Sequence, residues 1–277
     1  MAATELHRCE VASTPWPGVY LTQIESSRHF PRHWHDTFGL GLIDDGAHCS
    51  ASARGTVQAY AGHLISTNPG EVHDGRPLGA PARRWRMVYM DGAALQASTQ
   101  APGDTPNPSL VLTQPVFADP RLRLALQQLF ALLLGGVTRR GGDTLARDEA
   151  WAHVCGRLLA QHANLATRPH GPPAPMDRVR DRLADDLAQT PSLAELATLA
   201  GLSRYQVLRH FVQAHGLPPH AWPRQQRVAR ARTLIARGAG LADAALASGF
   251  ADQSHMTRSF AQQLGFTPGA WRQAALQ

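Results

Sequence analysis

The chain has 277 residues, 43% of them apolar, and carries 27 basic against 21 acidic side chains, a formal net charge of +6. That length suits two ordinary domains, each able to bury a core. The longest apolar stretch, "LFALLLGGV" at 129–137, falls short of the roughly 20 residues of a bilayer span, and the opening "MAATELHRCE" puts charges where a secretory leader would carry its apolar core. A soluble, cytoplasmic protein with no membrane partner is expected.

In chain order, the first hundred residues alternate short apolar segments with turns. "VYLTQI" (19–24), "FGLGLI" (38–43), "HLIST" (63–67) and "RWRMVYM" (84–90) are separated by "DDG", "RG" and "NPG", a pattern that predicts a β domain over 1–118, as a barrel or sandwich. Within it, "HWH" (33–35) places His33 and His35 on one side of an extended chain and Trp34 on the other. Cys9, Cys49 and Cys155 stand at long, irregular spacings and are read as unpaired thiols.

Helical spacing takes over at 119–165. Leu122, Leu126, Leu129 and Leu133 line one face of 121–134, and Leu145, Trp151, Val154 and Leu158 line one face of 144–163. The Gly pairs at 135–136 and 141–142 separate them, so an antiparallel pair is expected, its apolar faces buried against the domain or against a second subunit. "ATRPHGPPAPM" (166–176) is a linker by its Pro and Gly content.

Residues 177–277 hold 12 Arg against seven Asp and Glu, so most of the net positive charge lies there. After a leading helix at 176–189, this part writes one unit twice. "LRHFVQAHGLPPHAW" (208–222) and "TRSFAQQLGFTPGAW" (257–271) share Arg209/Arg258, Phe211/Phe260, Gly216/Gly265 and Trp222/Trp271. Each copy reads as helix, glycine turn, helix. Ser192 with Glu195 forms a capping box, Gly201 ends the first short helix, and Ser203 caps a second with Val207, Phe211 and Ala214 inward. In the second copy Gly249 marks the turn and Asp252 the cap, with Met256, Phe260 and Leu264 inward. A helix at 219–237, about 28 Å long at 1.5 Å per residue, joins the copies, with Arg224, Arg227, Arg230 and Arg232 supplying charge. Two reading helices on such a rod suit adjacent major grooves of one duplex.

The stretch 192–275, above all "ALASGFADQSHMTRSFAQQLGFTPGAWR" (245–272), resembles the DNA-binding domain of the AraC/XylS family of bacterial transcription regulators. The resemblance implies base contacts by Tyr205, Leu208 and Arg209 in the first unit and by Gln253, Ser254, His255, Thr257 and Arg258 in the second. Arg204 and Gln206 would reach phosphates. "GHLISTNPGEVH" (62–73) resembles the second motif of the cupin barrel, which members of this family commonly carry ahead of the DNA-binding part. The fold implied is α+β: a cupin-like β-barrel, two helices, then an all-α domain of two helix-turn-helix units.

The function implied is a ligand-responsive transcription activator, a homodimer with double-stranded DNA, a small-molecule effector and RNA polymerase as partners. His33, His35, His73 and Glu71 are the effector-binding candidates. No cofactor is assigned; a divalent metal on His33, His35 and His73 stays open, because neutral imidazole suits Zn, Fe or Ni. The other reading is a cupin metalloenzyme with a DNA-binding appendage. The carboxylate that catalytic cupins usually carry a few residues after the first His pair is missing here, where "DTFGLG" follows.

Overall fold

The short apolar segments and turns of the first hundred residues become antiparallel sheet, and the change to a helical period after residue 119 becomes helices. The structure is a computed structural model that describes residues 5–52, 54–97, 110–134, 144–165, 175–187 and 189–276. Both expected glycine pairs and most of the linker, 166–174, lie outside the described residues.

The strands are β1 (His7–Ser13), β2 (Val19–Ser26), β3 (Phe30–His33), β4 (Phe38–Asp45) and β5 (Ala47–Ser52). They continue with β6 (Gly55–Tyr60), β7 (Leu64–Thr67), β8 (His73–Pro77) and β9 (Arg83–Met90). A short helix α1 (Gly92–Ala97) precedes β10 (Leu110–Leu112) and β11 (Val116–Phe117), and β12 (Ala163–Leu165) comes later. One sheet has the order β1-β2-β9-β4-β7-β11 and the other β3-β8-β5-β6. Side chains of both line a common cavity. In β4 the "FGLGLI" pattern serves two faces. Leu40 and Leu42 are buried in the core behind the sheet, while a Cβ on Gly39 or Gly41 would run into Met87, which lines the cavity with Tyr89. Glycine there lets the large β9 side chains lie flat across the neighbouring strand.

Helices α2 (Pro120–Leu134) and α3 (Thr144–His162) pack together. Leu122, Leu126, Leu129 and Phe130, with Trp151, Val154 and Leu158, share a core with Leu40, Leu42 and Val88. Their apolar faces are therefore buried against the β domain. Leu145, expected on the inner face, is 65% exposed, because it lies in the first turn of α3 ahead of the packed residues. Strand β12 pairs with β10 and ties the end of α3 back to the domain.

The helical part that follows comprises α4 (Pro175–Asp185), α5 (Leu193–Ala200), α6 (Arg204–His215), α7 (Trp222–Ala236), α8 (Leu241–Ala247), α9 (Gln253–Leu264) and α10 (Pro268–Ala275). Helix α4 stops four residues short of the expected 189, where the Asp186 carboxylate accepts from the Gln189 amide and starts a turn instead. The caps form as read: a full box at Ser192 and Glu195, Ser203 on α6, Asp252 on α9, and left-handed glycines at 201, 216 and 265. Ala214, expected inside, is exposed.

The joining helix α7 is shorter than expected, 15 residues or about 22 Å. Pro218 and Pro219 bring no amide donors, and the chain closes a turn there from the Ala221 amide to the Pro218 carbonyl before the helix begins. Val228, Ala231, Ile235, Phe260 and Trp271 form one continuous core with Tyr20, Ile24, Phe30, Trp85 and Tyr89 of the β domain.

Candidate effector cavity and nucleic-acid interface

Between the two sheets lies a cavity of about 90 Å³, room for about three water-sized groups. His33 at the end of β3, His35 just beyond it and His73 at the start of β8 meet in this space. Their ring centroids are 5.0, 4.6 and 5.3 Å apart for the pairs His33–His35, His33–His73 and His35–His73. His33 Nδ1 lies 2.7 Å from the Pro31 carbonyl and His73 Nδ1 lies 2.9 Å from the Glu71 carbonyl. A carbonyl only accepts, so both rings carry their proton on Nδ1 and present Nε2 as a lone pair. Burial, reinforced by the neighbouring His73, pushes His33 down to about 3. His35 is held well below the ordinary range by burial and then by His33 and His73, and His73 is lowered by burial. All three rings are neutral at pH 7.

Glu71 lines the cavity, but its carboxylate is committed to Arg54 at 3.2 Å and to the Asn68 amide at 2.9 Å. Its backbone carbonyl does the orienting of His73. Two cavity residues were not expected. The guanidinium of Arg83 donates to His48 at 2.7 Å and to the Arg28 carbonyl at 3.1 Å, while its Nη2 is buried without a partner. No ion pair joins Arg83 to a carboxylate among the described residues, and burial lowers it only to about 10, so it stays charged. Trp85 stacks under it, with the charge centre 4.7 Å from the ring.

The segment His33–Trp34–His35–Asp36 alternates as an extended chain does. His33 and His35 face the cavity, while Trp34 and Asp36 face the C-terminal helices. The Trp34 ring packs beside Trp222, 5.8 Å between centroids. Its amide donates to Gln225 of α7 at 3.3 Å, and its carbonyl accepts from Gln263 of α9 at 2.9 Å. Asp36 pairs with Arg232 of α7 at 2.7 Å. Arg232, one of the arginines expected to supply charge on this helix, is therefore largely enclosed, lying over Tyr20 and Trp271. Arg32, the residue before this segment, donates from Nη1 to the Gly216 carbonyl at 3.1 Å, and His7 lies 2.7 Å from the Gly265 carbonyl. The glycines that cap α6 and α9 thus both rest on the β domain. A side chain on Gly216 would strike Val72, and one on Gly265 would press on Phe30.

Each of these helices is 12 residues long, so the opposite ends stand about 18 Å away from the docked glycines. Arg204, Tyr205, Gln206, Leu208 and Arg209 on α6 are exposed, as are Gln253, Ser254 and Arg258 on α9. His255 and Thr257 are half-buried, His255 against Phe250. The Gln206 side chain is taken up locally, accepting from the Ser203 amide in a second capping box. No hydrogen bond or ion pair to another described residue engages Arg204, Arg209 or Arg258.

Comparison with known proteins decides what this arrangement belongs to. Residues 4–154 match the AraC-like ligand binding domain, and residues 196–274 match a helix-turn-helix domain. The chain belongs to the AraC family. It is 28% identical over 231 residues to the HTH-type transcriptional regulator YbfI of Bacillus subtilis, covering 82% of this chain and 81% of YbfI. It is 27% identical over 174 residues to the virulence regulon transcriptional activator VirF of Yersinia enterocolitica, covering 61% of this chain and 60% of VirF. Its fold is similar to crystal structures of ToxT from Vibrio cholerae. One aligns over 98% of both chains with a TM-score of 0.50 and 11% identity; another, with an unsaturated fatty acid bound, aligns with a TM-score of 0.50 and 10% identity over 98% of this chain and 95% of that one. The relatives are regulators of transcription rather than enzymes, and this AraC-family chain is a transcription regulator with a ligand-binding N-terminal domain and a DNA-binding C-terminal one. Among the described residues no helix is long and apolar enough to cross a membrane.

Sequence reading missed Arg83, His48, Gln225 and Gln263. A signal existed for the two glutamines, which interrupt the apolar faces of α7 and α9 at positions where a buried polar group needs a partner. For Arg83 there was none, since "ARRWRMVY" offers three arginines with nothing to mark the one that turns inward.

Proposed function

We propose that this regulator senses a small anionic molecule in the cavity between its two sheets, and that the ligand acts on operator affinity through the His33–Asp36 segment. The observation that carries the reading is the alternation of that segment: two side chains in the cavity, two gripped by the DNA-binding helices. A ligand that moves His33 or His35 moves the peptide held by Gln225 and Gln263, and a change in docking follows only if the ligand distinguishes two arrangements. Arg83 supplies the preference for an anion, since its buried Nη2 lacks a partner and a carboxylate would satisfy both charge and hydrogen bond. ToxT, with a similar fold, has been crystallised with an unsaturated fatty acid; the cavity here is sized for a ligand of a few carbons.

In this reading Tyr205, Leu208 and Arg209 on α6 and Gln253, Ser254, His255, Thr257 and Arg258 on α9 face base edges, and Arg204 reaches a phosphate. Gln206 serves the cap. The protein acts in the cytoplasm as a dimer that activates transcription by RNA polymerase. Exposed Leu124 and Leu145 on the helical pair offer apolar contact area for the second copy.

The experiment is thermal unfolding of the purified chain against mono- and dicarboxylates of two to six carbons, repeated for Arg83→Met, with operator affinity measured for any acid that raises the midpoint. A shift lost in R83M and accompanied by altered operator affinity supports the reading. No shift across the set, or one that persists in R83M, refutes it.

A further inference from the structure

Helix α9 sends one of its own side chains to the cavity between the sheets. Gln263, in the last turn of α9, is 5% exposed and lines that space together with Arg83. It also borders a cleft shared with Arg32, Arg224 and Gln225, so it stands in the wall between the cavity and the seam of the two domains. Its amide nitrogen donates to the Trp34 carbonyl at 2.9 Å. A carbonyl only accepts, which settles the end of the amide that faces Trp34 and leaves Oε1 as the group Gln263 still has to offer. That oxygen is buried and has no partner among the described residues.

The duplicated unit shows that its fold does not call for a glutamine at this place. When the two copies are aligned, Gln263 corresponds to Ala214, which is exposed on α6. Alanine completes the first unit. In the second the side chain is enclosed, and an apolar one would fill the same room without stranding an acceptor. A buried acceptor without a donor is costly and uncommon, and this one belongs to a residue in the wall of a cavity.

We infer that Gln263 is a ligand-binding residue, whose Oε1 accepts a hydrogen bond from an effector that is a small hydroxy acid. The inference rests on the reading of this cavity as an anion site and adds the second functional group of the ligand. Arg83 takes the carboxylate and Gln263 takes the hydroxyl proton. An ammonium group is a donor too, but a zwitterion would leave one positive charge in excess beside Arg83 in a buried space, and a hydroxy acid leaves none. The contact gives the ligand a direct hold on a reading helix. Through the His33–Asp36 segment it acts on α9 at second hand; through Gln263 it touches the helix that carries Gln253, Ser254 and Arg258.

The test uses the full-length protein and two pairs of acids that differ by one hydroxyl, acetate with glycolate and propionate with lactate. Dissociation constants are measured by titration calorimetry. In the wild type each hydroxy acid should bind about tenfold tighter than its partner or better, because a site built around a hydroxyl rejects the analogue that lacks it. Methoxyacetate, whose ether oxygen cannot donate, and glycine should bind no tighter than acetate. Gln263→Met removes the amide oxygen and should bring each pair within about twofold. Gln263→Ala, which installs the residue of the first copy, should do the same and serves if methionine does not fit. Gln225→Met loosens the other grip on Trp34 from the side of the cleft, and should keep the full preference. Each variant is first melted without ligand to show that it folds. Equal binding within the pairs by the wild type overturns the role of Gln263, as does a preference that survives in both Gln263 variants or disappears equally in Q225M. Glycine binding tighter than glycolate overturns the hydroxy acid. If no acid binds, or binding persists in R83M, the anion reading falls and this inference with it; binding that needs Arg83 but ignores the hydroxyl sinks this inference alone.

Discussion

Arg232 is where the two halves of the molecule are most exposed to a single substitution. Its side chain is 11% exposed and pairs at 2.7 Å with Asp36, which is 34% exposed. The charge centre also lies 5.1 Å from the Tyr20 ring and 5.5 Å from that of Trp271. Methionine at this position keeps the apolar stem and removes the charge. Losing one partner of a fully buried pair costs about 3–5 kcal/mol, but Asp36 is a third open to water and hydrates once released, which brings that part down to about 1 kcal/mol. The two ring faces add about 0.5–1 kcal/mol each. Arg232→Met should therefore cost about 2–3 kcal/mol, or about 3–5 °C for a chain of this size. The sheets and the C-terminal helices share one core, so scanning calorimetry of the wild type should show one transition whose calorimetric and van't Hoff enthalpies agree. R232M should split it, with the helical part melting first. Asp36→Asn alone should cost about 1 kcal/mol, and the double variant less than the two single losses combined, since they remove the same pair. An R232M midpoint within about 1 °C of wild type, or strictly additive losses, would refute the argument that this pair holds the domains together.

Two further outcomes follow from the same geometry. Arg209→Ala and Arg258→Ala should each weaken operator binding by about 1–3 kcal/mol and relax preference at one base pair, the two positions standing about one helical turn apart; selection of binding sites from a random pool checks this, and loss of preference at a common position would contradict it. Asp119 accepts from Arg157, His162 and the Leu122 amide. Burial alone would raise its carboxyl, yet these bonds hold it well below the usual range. A carboxyl lowered in the folded state stabilises above the unfolded value near 4 and loses that contribution as pH falls below it. Asp119→Asn should cost about 2 kcal/mol at pH 7, less than a fully buried pair because Arg157 is 26% exposed, and should flatten the loss of stability between pH 5 and 3 in urea titrations.

Much of this architecture was legible because local chemistry decides it. Ser192, Ser203 and Asp252 start helices wherever they are placed before an apolar period, and Gly201, Gly216 and Gly265 end them in any context. The duplicated unit announced itself for the same reason. What could not be read is what depends on a partner from elsewhere in the chain. Helix α7 shows four arginines of equal promise, and only docking on Tyr20 and Asp36 singles out Arg232. Glu71 looked like a free carboxylate until Arg54 and Asn68 claimed it. Leu145 follows the apolar period of its helix, yet its turn extends past the sheet that buries the rest.

The two copies of the duplicated unit are docked alike. Gly216 and Gly265 occupy equivalent places in the two units, and the β domain holds both by their carbonyls, one through Arg32 and one through His7. A helix carries partial negative charge at its carboxyl end, so a donor side chain at each docked end is favoured, and the amino ends with their arginines are left outward. The reading helices are thus positioned relative to each other twice, once by α7 and once by the surface on which both rest. Arg32 directly precedes the histidines of the cavity, so a ligand that shifts His33 acts on the anchor of α6 and, through Trp34 and Gln263, on α9 as well. In the function proposed above, displacement of one segment only four residues long therefore changes the relative placement of the two helices offered to DNA, which is the quantity that operator affinity would report.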